Sequence, residues 1–347
     1  MRLGSGGWPN SSDALRRRPR ARSVCAMPPN SRPPGIQAIL DDLATGIPFD
    51  SLEAVQQHLA RRMEEYNTQP QVELGGLSPD RVAQLLAGDW TSAGALRVAD
   101  DAPLALLQDV PFLVDARTLL RFVADAAPVK LTPAGNLPRS AVSALVPQLR
   151  MAAGNADATG IPVAKVRNEG DVRWLPILRH VLLFARLLVK RKGLVLSKLG
   201  RELLDDERAG ALYALLFRTF FREFDLRYLY LDARHAALQQ TLAYSFYQLS
   251  RVAPEWTDSE ELASRAWLDS ARDPMLEWEA RYRDMRHSAF RFRVLEPLVM
   301  FGVLEGRLLP GAERWFKRAE YRRTALFERV LRFEFRRGWI GDAFLMR

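Results

Sequence analysis

Basic side chains concentrate in one short stretch of this sequence, Leu-Val-Lys-Arg-Lys-Gly-Leu-Val-Leu-Ser at residues 188–197. Three consecutive cations precede a glycine between two apolar runs, which is the pattern of a β-hairpin with charges at its tip. Such cations can contact phosphate groups, and these contacts position a protein on nucleic acid without reading its sequence. The candidate phosphate ligands are Lys190, Arg191, Lys192, Lys198, Arg201, Arg179, Arg322 and Arg323. A solubilising turn between buried strands explains the tip equally well.

Aromatic residues form a second dense group between residues 213 and 247, with arginines among them. Aromatic rings can stack on unpaired bases while arginine contacts phosphate. Leu212, Leu216, Phe220 and Phe224, however, recur at helical spacing. This period favours a buried core helix over a base-stacking platform.

Signatures of enzymes and metal sites are absent from the sequence. It contains no Gly-x-Ser-x-Gly, no phosphate-binding loop ending in Gly-Lys-Ser/Thr, no His-Glu-x-x-His and no Gly-x-Gly-x-x-Gly. The single cysteine, Cys25, excludes an internal disulfide and a cysteine-based metal site. The four histidines lack a partner at i+4, and acidic runs such as 205–207 are typical of solvated surface. We therefore predict no enzyme activity, no cofactor and no metal.

The net charge of +9 is carried by the two ends of the chain. Residues 1–26 contribute +5 and residues 281–347 contribute +8, so the middle is mildly acidic. No run of about 18 apolar residues occurs, so we predict a protein without a membrane span. One lone cysteine suits the reducing cytoplasm. Residues 1–35 are predicted to be a disordered leader, or a false start that precedes the true one at Met27.

Residues 36–108 are predicted to form an N-terminal helical region. A short helix at 36–43 is followed by a second one, with Asp50 as its N-cap and Glu53 as the capping-box partner. Leu52, Val55, Leu59 and Met63 then recur at helical spacing and should turn one apolar stripe inward. A third helix should start at Gly-Gly-Leu-Ser-Pro-Asp, with Ser78 as its cap and Pro79 at its first position, and run to Gly88.

Residues 109–208 show the element order helix, strand, helix, helix, strand, strand. The predicted elements are helices at 112–126, 138–149 and 176–189, a strand at 129–132, and the hairpin strands that flank the cations, with a helix at 198–203. This is the order of a winged helix, whose third helix normally faces the DNA major groove. Arg173, Arg179 and Arg186 would then lie along the groove-facing helix.

Residues 209–347 are predicted to contain further helices and a second, degraded unit of the same kind. The expected helices are 209–231, 234–250, 258–270 and 290–301. Strands at 303–305 and 321–324 would form the second hairpin, and a helix at 325–335 would close the unit. The predicted fold is thus mainly α, with tandem winged-helix-like units and short β-hairpins.

Two short boxes carry a resemblance to known sequences. Leu-Thr-Pro-Ala-Gly-Asn-Leu-Pro-Arg at 131–139 and Gly-Leu-Ser-Pro at 76–79, together with the hairpin region 188–204, resemble a group of uncharacterised bacterial proteins. The resemblance implies a winged-helix-like fold and a bacterial source, and no function.

Two functions fit this sequence best. The first is a nucleic-acid-binding or regulatory protein that contacts DNA phosphates through its hairpins, with salt-sensitive binding. The second is a scaffold that uses the same units for a protein partner or a homodimer, because fold does not determine function. An enzyme is the least favoured class.

Overall fold

The computed structural model describes residues 51–91, 94–153, 168–229, 236–268, 283–309 and 318–336. The predicted leader, the helix at 36–43 and the cap at Asp50 lie outside these ranges. The described chain is mainly helical, with short antiparallel strand pairs, as predicted. None of its helices is both long and apolar enough to cross a membrane.

The elements are numbered in chain order. The helices are α1 (Leu52–Thr68), α2 (Pro79–Ala87), α3 (Leu104–Leu107), α4 (Pro111–Ala126), α5 (Arg139–Leu145), α6 (Arg150–Ala153), α7 (Trp174–Phe184), α8 (Lys198–Leu203), α9 (Ala209–Arg218), α10 (Leu242–Val252), α11 (Ser259–Ala266), α12 (Arg283–Phe290), α13 (Glu296–Met300) and α14 (Ala325–Val330). The strands are β1 (Leu96–Val98), β2 (Leu188–Lys190), β3 (Leu194–Leu196), β4 (Thr257–Asp258), β5 (Leu304–Leu308), β6 (Ala319–Arg323) and β7 (Leu331–Phe333).

The start of α2 confirms its predicted cap. The Ser78 hydroxyl accepts a hydrogen bond from the backbone N–H of Arg81, and Pro79 occupies the first turn. A side-chain oxygen here satisfies an amide that has no partner within the helix. At the start of α1 the cap is Ser51, one residue after the predicted position, and its side chain accepts from the Ala54 N–H at 3.1 Å.

The predicted inward stripe of α1 is wrong. Leu52 is 73% exposed and Met63 is 54% exposed, while Val55 and Leu59 are only partly covered. No side chain of α1 is fully buried, because its packing against α2 covers only part of its apolar face. Helical periodicity thus identified the apolar face correctly, but it could not say what would pack against it.

The first unit (residues 111–203) contains α4, α5, α7, the hairpin β2–β3 and α8. Helix α4 turns its apolar side chains Leu113, Leu119, Leu120 and Val123 into the core, where all four are buried. The strand predicted at 129–132 is reduced to a single bridge between Val129 and Leu194. The helix predicted at 138–149 ends early because Pro147 breaks its backbone pattern, and residues 146–148 form a 3-10 turn instead.

The second unit (residues 242–330) repeats the same element order with α10, β4, α11, a long helix and the strands β5 and β6. The long helix is α12 and α13 joined by a π-turn at Arg291–Leu295. Its sheet has the antiparallel order β4-β6-β5. The π-turn at Thr219–Glu223 similarly follows α9, so the helix predicted at 209–231 ends near Phe224.

The helix predicted at 325–335 is only half correct. Helix α14 ends at Val330, and β7 continues the chain as an antiparallel partner of β1. Leu331 pairs with Val98 and Phe333 with Leu96 across the ladder. The partner strand lies more than 200 positions away in sequence, so local propensity could not predict the switch.

One continuous cluster of buried side chains runs through both units. The Phe112 ring of α4 stacks on Phe301, with 4.5 Å between ring centroids. The Tyr213 hydroxyl donates to the Phe301 carbonyl at 2.9 Å, and Phe217 and Phe220 are fully buried. The aromatic group therefore belongs to the core, and the prediction of a buried core helix is confirmed for the described members.

Candidate nucleic-acid interface

The first hairpin (residues 188–196) is attached to the core through alternate side chains, as a half-buried strand pair requires. Its ladder pairs Leu188 with Leu196 and Lys190 with Leu194, in antiparallel register. The leucines Leu188, Leu194 and Leu196 are buried, whereas Val189 and Val195 are only partly covered. Because the burial ends at the Lys190–Leu194 pair, the residues beyond this pair face solvent.

The tip of the hairpin is clamped against residues 128–130. The Val129 N–H donates to the Leu194 carbonyl at 3.0 Å, and the Leu194 N–H donates to the Val129 carbonyl at 2.8 Å. A Cβ added to Gly193 would lie 2.8 Å from the Val129 carbonyl oxygen, so only glycine permits this approach. The clamp also brings the exposed Lys130 beside the tip, which the sequence analysis did not anticipate.

The three cations of the tip, Lys190, Arg191 and Lys192, are exposed. Residues 186–201 contain six cations and no acidic residue. Among the described residues, Arg191 and Lys192 have no carboxylate partner. Burial lowers the pKa of Lys190, the charge of Arg179 lowers it further, and Glu169 partly opposes both effects. Arg191 and Lys192 thus give the tip an exposed positive charge that no described carboxylate pairs with.

A second group of cations, Arg186, Lys198 and Arg201, lies at the base of the hairpin and is also exposed. The Ser197 N–H donates to the Leu187 carbonyl at 3.0 Å, which brings the start of α8 beside the end of α7. At about 3.3 Å per residue, this base lies roughly 10 Å from the tip. We name the six exposed cations Arg186, Lys190, Arg191, Lys192, Lys198 and Arg201 the basic patch.

Arg179 does not belong to this patch. It is 1% exposed, and its Nε donates to Glu169 Oε1 at 2.6 Å. The other carboxylate oxygen of Glu169 accepts from the Leu137 N–H at 2.6 Å. Separating such a buried pair would leave an uncompensated charge, at a cost of about 3–5 kcal/mol. The prediction that Arg179 contacts phosphate is therefore withdrawn.

The helix expected to face the groove, α7, is buried instead. Every residue from Trp174 to Leu182 is buried except His180, which is partly covered. At its start, the Arg173 guanidinium stacks over Phe292 of the second unit at 5.5 Å and donates to the Leu229 carbonyl at 3.0 Å. This helix therefore presents almost no polar surface that could read base edges.

The second hairpin (residues 304–323, described except for 310–317) carries its described cations in ion pairs. Arg322 pairs with Glu305 and stacks over the Trp256 ring at 4.7 Å. Arg323 pairs with Glu328 at 2.9 Å. Further pairs join Arg307 to Glu320 and Arg318 to Asp258. The two predicted phosphate ligands of this hairpin thus have carboxylate partners already, unlike Arg191 and Lys192.

The box at residues 131–139 is accounted for by a turn and a helix start. The Thr132 N–H donates to the Asn136 carbonyl at 2.9 Å, and the Thr132 hydroxyl accepts from the Asn136 N–H at 3.1 Å. Gly135 between them has a φ of 79°, a conformation that favours glycine. Leu137 then donates to the buried Glu169. The box positions α5 over the Glu169–Arg179 pair.

Asp115 on α4 is a buried acid that the sequence analysis missed. Its two oxygens accept from the N–H groups of Arg150 and Met151, at 2.7 and 2.9 Å. Burial raises the pKa of Asp115 to about 6, although both hydrogen bonds and the Arg150 charge oppose this rise. The sequence could have indicated this buried acid, because Asp115 lies on the apolar face of a predicted helix.

His180 and Asp206 each make a contact with another residue of the protein. The carbonyl of Pro176 can only accept, so His180 Nδ1, at 2.7 Å from it, carries the proton. Asp206 in the run 205–207 is exposed and pairs with Arg117. Within the described ranges, no three His, Asp, Glu or Cys side chains are grouped closely enough to hold a metal ion.

One family model, described as the Y4jL N-terminal domain, matches residues 108–210. The matched range contains the whole first unit and its hairpin, but it is less than a third of the chain. Over this range the chain is similar to that domain. No curated protein and no solved structure matches the chain significantly. The resemblance of the two boxes to uncharacterised bacterial proteins stays a prediction.

Proposed function

We propose that this protein binds the phosphate backbone of nucleic acid through the basic patch of its first unit, which we interpret as winged-helix-like. The observation that carries the proposal is the exposure of six cations within residues 186–201, where the sequence has no acid. A dense, exposed positive charge attracts a polyanion and releases its counterions on binding. The clamp at Val129 fixes the hairpin, so little ordering entropy opposes the contact.

The contrast between the two hairpins supports a local site. Charge alone would make both hairpins equivalent, since both carry several cations. The described cations of the second hairpin, Arg322 and Arg323 among them, are paired with carboxylates, and a phosphate would have to displace these. In the part of the chain that the structure describes, Arg191 and Lys192 of the first hairpin have no such competitor.

The burial of α7 indicates binding without sequence readout. Direct readout needs polar side chains that reach base edges in the major groove. Helix α7 packs into the core and against the second unit, so it cannot reach base edges. The hairpin would then bind the nucleic acid through its phosphate groups alone. Affinity should therefore depend on salt and only weakly on base sequence.

The decisive experiment compares two double variants of the full chain. R191Q/K192Q removes two cations of the first hairpin, and R322Q/R323Q removes two from the second, so both lower the net charge equally. Binding to a fluorescent DNA duplex is followed by anisotropy over a range of salt concentrations. In R191Q/K192Q the log–log slope should become shallower by about 0.9 for each phosphate that the protein no longer neutralises. It should stay unchanged in R322Q/R323Q.

Two outcomes would overturn the proposal. One is the absence of salt-sensitive binding by the unsubstituted protein at low ionic strength. The other is an equal weakening of binding in both variants, which would indicate a response to net charge and no local site. Circular dichroism of both variants checks that the fold is kept.

A second candidate function is a protein-interaction module, and α1 is the observation that favours it. This helix is 17 residues long, yet it buries no side chain and exposes Leu52 and Met63. Isolated helices of this length are marginal in water, so a helix of this kind gains stability from a covering partner. A second copy of the chain is the simplest partner.

Light scattering after size-exclusion chromatography tests this candidate. A dimer that the double variant L52S/M63S converts to a monomer would favour it. A monomer at all accessible concentrations would count against the homodimer. Because both side chains are exposed, the substitution should change the free energy of unfolding of the monomer by no more than about 0.5 kcal/mol.

A further inference from the structure

An open groove lies beside the basic hairpin, with a volume of about 470 Å³. It runs between the end of α4, the segment 128–130 and the start of α5. Its walls include Phe122, Ala126, Pro128, Lys130, Pro138 and Ser140. The volume falls in the range of roughly 300–1,000 Å³ that is usual for small-ligand sites, so it has room for a nucleoside.

The lining of the groove combines an aromatic ring, prolines and a few polar groups. Phe122 is partly covered and is packed against the core from behind. Pro128 and Pro138 add rigid apolar walls on two other elements. The exposed side chains of Lys130 and Ser140 supply a cation and a hydroxyl at the rim. This combination suits a flat ligand with apolar faces and polar edges.

The groove is joined directly to the basic patch. Val129 lines it and exchanges two backbone hydrogen bonds with Leu194 of the hairpin. A Cβ on Gly193 would lie 3.2 Å from the Pro128 Cβ, so the turn touches the groove wall. A polyanion held by Arg191 and Lys192 would therefore pass the mouth of the groove.

We infer that the groove binds an unpaired nucleobase of a strand whose phosphates lie on the basic patch. This inference rests on the proposed function and names its substrate class as single-stranded nucleic acid. Charge complementarity selects the occupant, because the exposed cations beside the groove require an anionic ligand. Stacking on Phe122 is sequence-tolerant, since every base has a π-face. Bases paired in a duplex are not free to enter.

Three probes distinguish binding of the base from binding of the phosphate groups. They are an oligothymidine of about 15 nucleotides, an abasic strand of the same length and charge, and a duplex of the same length. Binding of each fluorescent probe to the full chain is measured by anisotropy at one salt concentration. The oligothymidine should bind about 5- to 150-fold more tightly than the abasic strand, the range given by stacking of one base.

Two variants locate the effect without removing a core side chain. Ala126→Trp fills the groove from its exposed rim, and Ala124→Trp places the same side chain on an exposed position of α4 outside the groove lining. Ala126→Trp should lower the affinity for oligothymidine to that for the abasic strand. Ala124→Trp should leave the difference between the two probes intact. The affinity for the abasic strand should stay the same in both variants.

The outcomes distinguish the inference from the function on which it rests. Equal binding of oligothymidine and abasic strand would overturn the base site while leaving phosphate binding in place. No binding of any of the three probes would overturn the proposed function itself. An unchanged preference for oligothymidine in Ala126→Trp would also overturn the base site, and would leave the groove to another occupant such as an apolar peptide.

Discussion

Residue type alone did not separate the exposed arginines and lysines from the buried ones. Arg179 and Arg191 are both arginines of the first unit, but Arg179 is buried against Glu169 and Arg191 is exposed. A guanidinium in the core holds two segments together, because it forms an ion pair with a fixed carboxylate. A guanidinium at a hairpin tip keeps its donors available for phosphate.

The buried carboxyl of Asp115 provides a prediction at this scale. Its pKa is raised to about 6 in the folded chain, whereas it is near 3.9 in an unfolded one. The folded state therefore binds more protons between these values, and the free energy of unfolding should fall as the pH rises from about 4 to about 6. The slope contributed by this single group is at most about 1.4 kcal/mol per pH unit. Urea unfolding at several pH values measures it.

The matched variant for this experiment is Asp115→Asn, which cannot titrate. His180 acts in the opposite direction near pH 6, because burial lowers its pKa and the neighbouring Arg179 lowers it further. Subtracting the variant's profile from the native one removes this contribution and leaves Asp115. Identical profiles for the two proteins would contradict the raised pKa.

At the scale of elements, the first hairpin shows how a β-turn is attached to a helical body. The alternation of leucine and valine orients both strands, and the bridge at Val129 holds the tip. The same segment forms one wall of the groove, so the positions of tip and groove are coupled. Rigid attachment matters because a preorganised cationic tip loses little entropy on binding.

Gly193→Ala tests this attachment. The added Cβ would lie 2.8 Å from the Val129 carbonyl oxygen, and backbone cannot move aside as easily as a flexible side chain. We expect the free energy of unfolding to fall by about 1–3 kcal/mol, as for other overpacked sites. Gly170→Ala is the control, since nothing lies within 4 Å of its added Cβ. Equal stability of the two variants in urea unfolding would contradict the clamp.

At the scale of the whole molecule, the two units share one interior. Strand β1, which precedes the first unit, pairs with β7, which follows the second. Trp90 packs against Phe217 and Phe246, and Phe112 packs against Phe301. Each unit therefore completes its burial with side chains from outside its own sequence range. This shared core also explains why α7 is not free to enter a groove.

A shared core predicts cooperative unfolding of the described part of the chain. Calorimetry should show a single main transition, with a calorimetric enthalpy equal to the van't Hoff enthalpy. The fragment 109–208, the unit predicted from sequence, should be markedly less stable than the full chain because it lacks the packing of α9 and the second unit against it. Two well-separated transitions, or a fragment as stable as the parent, would contradict this.

Local signals in the sequence were sufficient for most helices and for the hairpin. The serine–proline start of α2, the apolar period of α4 and the Lys-Arg-Lys-Gly turn each depend on neighbours in sequence, whose physics is short-range. Local signals could not predict that α14 ends at Val330, because the following strand β7 forms only where β1 is present to pair with it. The same holds for the uncovered face of α1.

Some features of the candidate site could likewise be predicted from local sequence, and others could not. The basic turn at 190–192 could be found from its residues, since charge and turn propensity are properties of a short segment. The pairing of Arg179 with Glu169 and the groove beside Val129 required the folded chain. Burial and ion pairing depend on segments distant in sequence, and packing alone brings these segments into contact.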